Sequence, residues 1–191
     1  MKLFEPLFDL VLSWSRHPQA EKYLGALSFA ESSFFPIPPD VMLAPMVVAS
    51  PEKGWRYALI TTVMSVIGGL AGFALGALVF DLLFPYLEKF GYTEAFATSQ
   101  EWFQRWGFWA VLAAGFSPIP YKIFTIAAGA MAMPLAPFAL ASVVGRGARF
   151  YLVAGLLVWG GARVEPMLRK YVEWLGWLFI ALLVALYFVV R

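Results

Sequence analysis

The chain has no cysteine and a single histidine, His17, among its 191 residues. Without cysteine it can form neither disulfides nor thiolate zinc sites, and because the single histidine lies near the N-terminus, Ser-His and Cys-His dyads are excluded as well. Charge is also scarce, since 14% of the residues are charged and 61% are hydrophobic, whereas a soluble globular domain carries about 25% charged residues. We therefore expect an integral membrane protein, with no metal site and no cofactor.

Three further classes of feature are missing. The formal net charge is +2 with scattered basic residues, so the basic stripe of a nucleic-acid-binding protein is absent and no nucleic acid is expected as a partner. No Ser-, Gln- or Lys-rich stretch divides the chain, which favours a single unit. Glu5, Pro6 and Asp9 interrupt what would be the apolar core of a cleavable signal, so Met1 is expected to begin the mature protein.

Proline clusters break two of the apolar segments, 23–50 and 107–133. The arms on either side have roughly 10 to 13 residues, or about 15 to 20 Å as helix, and cannot cross about 30 Å of hydrocarbon. A re-entrant helical hairpin is the economical interpretation of each, with its tip buried in protein or lining a wet cavity. The predicted breaks contain five prolines: Pro36, Pro38, Pro39, Pro118 and Pro120.

The remaining segments predict full membrane crossings and helices that lie in the membrane interface. Thr98 and Glu101 form a capping box that predicts the start of a new helix. The complete prediction is an interfacial amphipathic helix (1–22), a core (23–161) and a C-terminal transmembrane helix (171–191). The core comprises hairpin 23–50, span 57–80, interfacial segment 81–106, hairpin 107–133 and span 135–161.

The two halves of the core resemble each other in sequence. The run FPIPPDV at 35–41 is matched by SPIPYKI at 117–123, and V-x-G-x-x-A-x-F recurs at 66–73 and 143–150. A hairpin returns to the side that it entered and each span crosses once, so the second repeat is inverted relative to the first. The predicted fold is an all-α integral membrane protein with two inverted repeats, the build of many secondary transporters. The distribution of basic residues places the N-terminus in the cytoplasm and, after three crossings, the C-terminus in the periplasm.

Five ionisable residues lie inside these apolar segments, where each costs roughly 2.5 to 3.5 kcal/mol. They are Glu31, Asp40, Lys122, Arg146 and Arg149. Asp40 and Lys122 follow the two breaks at equivalent positions, so the hairpin tips bring opposite signs together. One interpretation is a set of structural ion pairs. The other is a transport site whose excess positive charge favours an anionic group such as a phosphate, and whose carboxylates could also carry a proton.

One helix of the first repeat also carries a small-residue pattern. Gly68, Gly72 and Gly76 stand four residues apart, which favours close helix packing.

Several motifs together resemble the DedA family, which shares the SNARE-associated or VTT domain. They are an apolar arm with Glu31, F-P-x-P with Asp40, G-x-x-P-x-x-x-K-x-F at 115–124, Ala128-Gly129 with Met131, Phe138, and Gly145. The resemblance covers 23–161 and implies facing re-entrant hairpins and lipid translocation. Bacterial members are associated with returning undecaprenyl phosphate or moving phosphatidylethanolamine, and eukaryotic members with phospholipid scrambling. The chain departs from the family pattern at Phe116 and Lys122, where the family usually has arginines.

The leading hypothesis is thus a flippase or scramblase of the bacterial inner membrane that moves a phosphate-bearing lipid, either a polyprenyl phosphate or a phospholipid. Proton coupling stays open. The alternatives are a small-ion or proton-coupled exchanger and a non-transporting assembly factor; an enzyme is not expected, because Asp40 alone is thin evidence for a nucleophile.

Overall fold

The computed structural model describes residues 17–33, 37–89, 93–117 and 120–160, in which all regular structure is helical. We number the α-helices in chain order: α1 (Ala20–Ser33), α2 (Asp40–Ala49), α3 (Gly54–Lys89), α4 (Thr93–Phe116), α5 (Tyr121–Ala130) and α6 (Leu135–Gly160). A 3₁₀ turn, Pro51–Lys53, joins α2 to α3. The predicted all-helical class is confirmed. The C-terminal segment 171–191, most of the N-terminal segment 1–22, and the break residues Pro36 and Pro118 lie outside the described residues.

Two helices are long and apolar enough to cross a membrane. They correspond to the predicted spans and cover Pro51–Phe80, with 30 residues, and Leu135–Gly160, with 26 residues. The first range combines the 3₁₀ turn Pro51–Lys53 with most of α3. Helix α3 continues through Pro85 to Lys89 and has 36 residues, about 54 Å at 1.5 Å per residue. That length exceeds the roughly 30 Å thickness of the hydrocarbon layer, so α3 is longer than a single perpendicular crossing requires.

The predicted helix start at Thr98 is wrong. Helix α4 begins at Thr93 and continues without a break to Phe116. Neither glycine nor proline occurs between Thr93 and Trp106, so nothing in the backbone stops the helix from extending past the predicted cap. Thr98 consequently lies inside α4, and the segment predicted to lie in the interface is continuous with the first arm of the second predicted hairpin.

Short helices begin directly after both proline-containing breaks. Helix α2 has 10 residues and starts at Asp40, with Pro39 as its N-cap, and α5 has 10 residues and starts at Tyr121, with Pro120 as its N-cap. A proline at the start of a helix loses nothing, because its missing N–H would have had no partner within the helix. Pro39 and Pro120 are therefore compatible with a helix that begins at the next residue.

Helix α6 is shared by two buried apolar clusters. One cluster joins α1, α2 and the C-terminal half of α6 and contains Leu24, Met46 and Phe150. The other joins α4, α5 and the N-terminal half of α6 and contains Val111 and Phe138. Helix α3 packs against α1, α5 and α6. Helices α3 and α6 thus form the centre of the fold, and α1, α2, α4 and α5 pack around them.

The predicted close packing at the α3 glycines is confirmed. A Cβ added to Gly68 would overlap the backbone of Phe29 in α1, and one added to Gly76 would overlap the backbone of Ile126 in α5. Gly72 lies between these contacts, where an added Cβ would meet the Thr125 side chain. Small residues let helix backbones approach in this way inside a membrane, so α3 holds α1 and α5 at close range.

Candidate functional site

The two arginines of α6 lie at its centre. In this helix of Leu135–Gly160, Arg146 is 11 residues from the first residue and 14 from the last, and Arg149 has the reverse spacing. At 1.5 Å per residue both are about 16 to 21 Å from either end. If α6 crosses the membrane, both guanidinium groups lie close to its middle.

Arg146 is buried in a polar network contributed by α1 and α3. Its side chain is 2% exposed, and Nη2 donates to Glu31 Oε2 at 2.5 Å. Nη2 also approaches Ser32 Oγ at 3.2 Å, and Nε donates to Ser65 Oγ at 2.5 Å. Ser32 Oγ lies 2.6 Å from Ser65 Oγ and donates to Glu31 at 3.0 Å. Ser32 therefore contacts every other member of this network.

Aromatic rings cover the same guanidinium. Its carbon is 4.8 Å from the centre of the Tyr121 ring and 4.7 Å from that of Phe150, distances at which cation–π attraction contributes. The Tyr121 hydroxyl donates to Ser142 Oγ at 2.5 Å, and Ser142 donates to the Phe138 carbonyl at 2.7 Å. Arg146 thus connects α1, α3 and α5 to α6.

Arg149 makes a different and more accessible set of contacts. Nη2 donates to Asp40 Oδ2 at 2.6 Å, and Nη1 donates to the Ser117 carbonyl at 2.5 Å. The side chains of Arg149 and Asp40 are 18% and 25% exposed. Asp40 is the first residue of α2 and Ser117 directly follows α4, so this one arginine joins the two breaks.

The carboxylate of Asp40 is only partly satisfied. Its Oδ1 atom is buried and, among the described residues, has no hydrogen-bond partner. A buried acceptor without a donor is unfavourable by about 1 to 3 kcal/mol. Asp40 is therefore held less completely than Glu31.

Four of the five predicted site residues form two ion pairs side by side on α6: Glu31 with Arg146, and Asp40 with Arg149. The sequence predicted that the opposite charges at the two hairpin tips, Asp40 and Lys122, come together. In the structure Asp40 forms its ion pair with Arg149 of α6. The fifth residue, Lys122, is half-buried at the second position of α5. Of the five predicted break prolines, Pro38 and Pro39 directly precede α2 and Pro120 directly precedes α5.

Sequence reasoning missed Ser32, Ser65 and Tyr121. Serine in a membrane helix commonly bonds to its own helix backbone, as Ser28 does to the Leu24 carbonyl, so the residue type alone carries no signal. The internal repeat did carry a signal for Ser65. The matched stretches begin at Val66 and Val143, and extending the match by one position aligns Ser65 with Ser142, both of which lie in the network around Arg146.

Two apolar helices are long enough to cross a membrane, and both ion pairs lie at the centre of one of them. The chain belongs to the VTT-domain family, that of the DedA and SNARE-associated proteins, since a VTT domain matches residues 37–158. The resemblance noted in the sequence is confirmed.

Two relatives match the whole chain over their own whole lengths. A protein of Haemophilus influenzae is 44% identical over 191 residues, and a protein of Histophilus somni is 42% identical over 191 residues. Both are described as uncharacterized proteins. No solved structure matches the chain.

Proposed function

We propose that this protein is a lipid transporter of the bacterial inner membrane that moves a phosphate-bearing lipid, such as undecaprenyl phosphate or a phospholipid, from one leaflet to the other. The observation that carries the proposal is the position of Arg149. Its guanidinium lies near the middle of α6, is partly exposed, and bonds to groups at both helix breaks. A cation at that depth is costly, and such residues commonly mark functional sites; membership of the VTT-domain family supports a membrane role.

The proposed topology places two re-entrant hairpins, 23–50 and 107–133, in inverted repeats with the N-terminus in the cytoplasm and the C-terminus in the periplasm. Helix lengths support the first hairpin and the second arm of the other, whereas α4, which contains the first arm of hairpin 107–133, has 24 residues, or about 36 Å. Helix α1 has 14 residues and α2 has 10, or about 21 and 15 Å, so neither alone crosses about 30 Å of hydrocarbon. Helix α5 is as short as α2.

A phosphate group would bind by taking the place of the Asp40 carboxylate on Arg149. The planar fork of arginine suits two oxygens of a phosphate as well as two of a carboxylate. Lys122, at the start of α5, brings a further positive charge to the second break. Because Asp40 is partly exposed and only partly hydrogen-bonded, its carboxylate is more easily displaced from its arginine than that of Glu31.

Apolar surface for the lipid tail is present on the helices that flank the second break. Phe116, the last residue of α4, is 51% exposed, and Ile123 near the start of α5 is 59% exposed. In this proposal the head group reaches Arg149 while the acyl or prenyl chain remains against these side chains and the surrounding lipid. Phe116 replaces a family arginine, which makes this side of the site more apolar.

Proton coupling is part of the proposal, because a proton on Asp40 would neutralise the carboxylate and release Arg149. Glu31 and Asp40 would also serve a small-ion or proton-coupled exchanger. That alternative is favoured by Asp40 Oδ1, which is buried and has no hydrogen-bond partner among the described residues. We propose transport without covalent chemistry on the lipid.

The direct test is reconstitution of the purified full-length chain into liposomes. Labelled polyprenyl phosphate and labelled phospholipid are followed across the bilayer with and without a pH gradient, and empty liposomes provide the background rate. The proposal predicts movement of at least one of the two lipids above background. Proton or ion flux without lipid movement would establish the exchanger instead, and no flux of any kind would leave the charges with a structural role.

A further inference from the structure

The two ion pairs on α6 differ in how firmly the protein holds them. We refer to Glu31–Arg146 as the brace pair and to Asp40–Arg149 as the latch pair. In the brace pair the arginine side chain is 2% and the glutamate 12% exposed, whereas in the latch pair the values are 18% and 25%. The two arginines are three residues apart on one helix, so their surroundings rather than their depth account for the difference.

The other contacts of the two arginines also hold Arg146 more firmly than Arg149. Arg146 also bonds to Ser65 and lies against the Tyr121 and Phe150 rings, so its removal from Glu31 would leave a charge in a closed, mostly apolar environment. Separating a buried ion pair in this way is strongly unfavourable, because each charge is left without its partner. Arg149 bonds to Asp40 and to the Ser117 carbonyl, and both contacts are at the helix breaks, where solvent or a head group can substitute for them.

We propose that the two arginines have separate roles: the brace pair stays closed throughout transport and fixes α1 and α3 to α6, while the latch pair opens to admit the head group. This inference rests on the proposed lipid transport. It predicts that the contact between α1 and α3 next to Arg146 does not change during the cycle. All movement needed for transport then takes place at the two breaks.

The Ser32–Ser65 contact provides a way to test this. The two Oγ atoms are 2.6 Å apart and belong to α1 and α3, so a Ser32→Cys/Ser65→Cys variant places two thiols in contact across the two helices, where oxidation can join them as a disulfide. The natural chain has no cysteine, so no other disulfide can form within the chain. Lipid movement is measured on the same liposomes after oxidation with copper phenanthroline and again after reduction with dithiothreitol.

Transport that is equal in the oxidised and reduced states is the expected result. A rate at least about tenfold lower in the oxidised state, about 1.4 kcal/mol on the barrier, and recovered on reduction would overturn the inference, because α1 would then have to move relative to α3. Wild-type protein that moves no lipid in these liposomes would instead refute the proposed function itself.

A second variant covers the case in which the cysteine pair is inactive even when reduced. Arg146→Met/Glu31→Gln removes both charges of the brace pair and leaves the Ser32–Ser65 contact in place. The matched variant at the latch pair is Arg149→Met/Asp40→Asn. The inference predicts lipid movement by the folded first variant and none by the folded second; the reverse result, or equal loss in both, would contradict it.

Discussion

Asp40 and Arg149 are 109 residues apart in the chain and their side chains are 2.6 Å apart in the folded protein. Asp40 begins the helix that follows the first break, and Arg149 also bonds to Ser117 at the second break. The pair thus joins both breaks to the middle of α6. Glu31 and Arg146 form a second, more deeply buried pair beside it, and the predictions below separate what each contributes.

Arg146→Gln is expected to destabilise the protein more than Arg149→Gln. The first change leaves Glu31 12% exposed without its arginine, at a cost of about 3 to 5 kcal/mol for breaking a buried pair. The second strands Asp40, which is twice as exposed and can be reached by water, so its cost is smaller. Thermal unfolding in detergent and the amount of membrane-inserted protein measure both. Equal losses, or a larger loss for Arg149→Gln, would contradict the distinction between the pairs.

Gly76→Ala and Gly147→Ala are expected to change stability in opposite directions. A Cβ at Gly76 would overlap the Ile126 backbone, whereas one at Gly147 would meet only Thr62 Cγ2 at 3.7 Å. Forcing α3 away from α5 costs about 1 to 3 kcal/mol, while alanine in an open helical position gains up to about 1 kcal/mol over glycine. Comparable melting temperatures for the two variants would show that α3 and α5 are not packed this closely.

Single cysteines at Val41 and Ile123 test whether the hairpins are re-entrant. Each position lies just after a break, and the absence of native cysteine makes every label attributable to the introduced residue. We expect both positions to lie within the membrane and to stay protected from a membrane-impermeant thiol reagent applied to the face opposite their loops. Full labelling from that face would replace the hairpin in question with two crossings.

Reporter fusions at Met1 and Arg191 test the number of crossings. Three complete crossings place the two termini in different compartments, the N-terminus in the cytoplasm and the C-terminus in the periplasm. Both reporters active in one compartment would mean that a crossing has been miscounted, with the final segment 171–191 and the N-terminal segment 1–22 as the first to re-examine.

The sequence predicted helical class, the two long apolar helices and the placement of short helices after Pro39 and Pro120, because hydrophobic length and proline chemistry are local properties. It also singled out Glu31, Asp40, Arg146 and Arg149 as charges inside apolar segments, where a charge needs a partner. It did not predict which acid meets which base. Helical spacing places Arg146 and Arg149 on one face of α6. How α1 and α2 pack against that face decides that Glu31 pairs with Arg146 and Asp40 with Arg149, and this packing is a tertiary property.

The start of α4 and the serine contacts to Arg146 were harder to predict from the sequence, because residue type alone does not determine them. Thr98 has good capping chemistry, yet α4 begins at Thr93, because a capping residue only favours a helix start and the residues before it are equally able to be helical. Ser32 and Ser65 bridge α1 and α3 to Arg146. The residue type does not distinguish such a serine from one that bonds to its own backbone, and only Ser65, through its repeat match with Ser142, carried a signal in the sequence.

The most direct test of the central claim is lipid movement by Arg149→Gln alone and together with Asp40→Asn, in liposomes loaded with equal amounts of inserted protein. If Arg149 contacts the phosphate, the single variant loses a charge-assisted bond of about 1.5 to 3 kcal/mol and lipid movement stops although the protein remains folded. The double variant restores charge balance and any lost abundance, but lipid movement stays absent. Full recovery of transport in the double variant would show that Arg149 serves only to pair with Asp40, and would contradict its assignment to the head group.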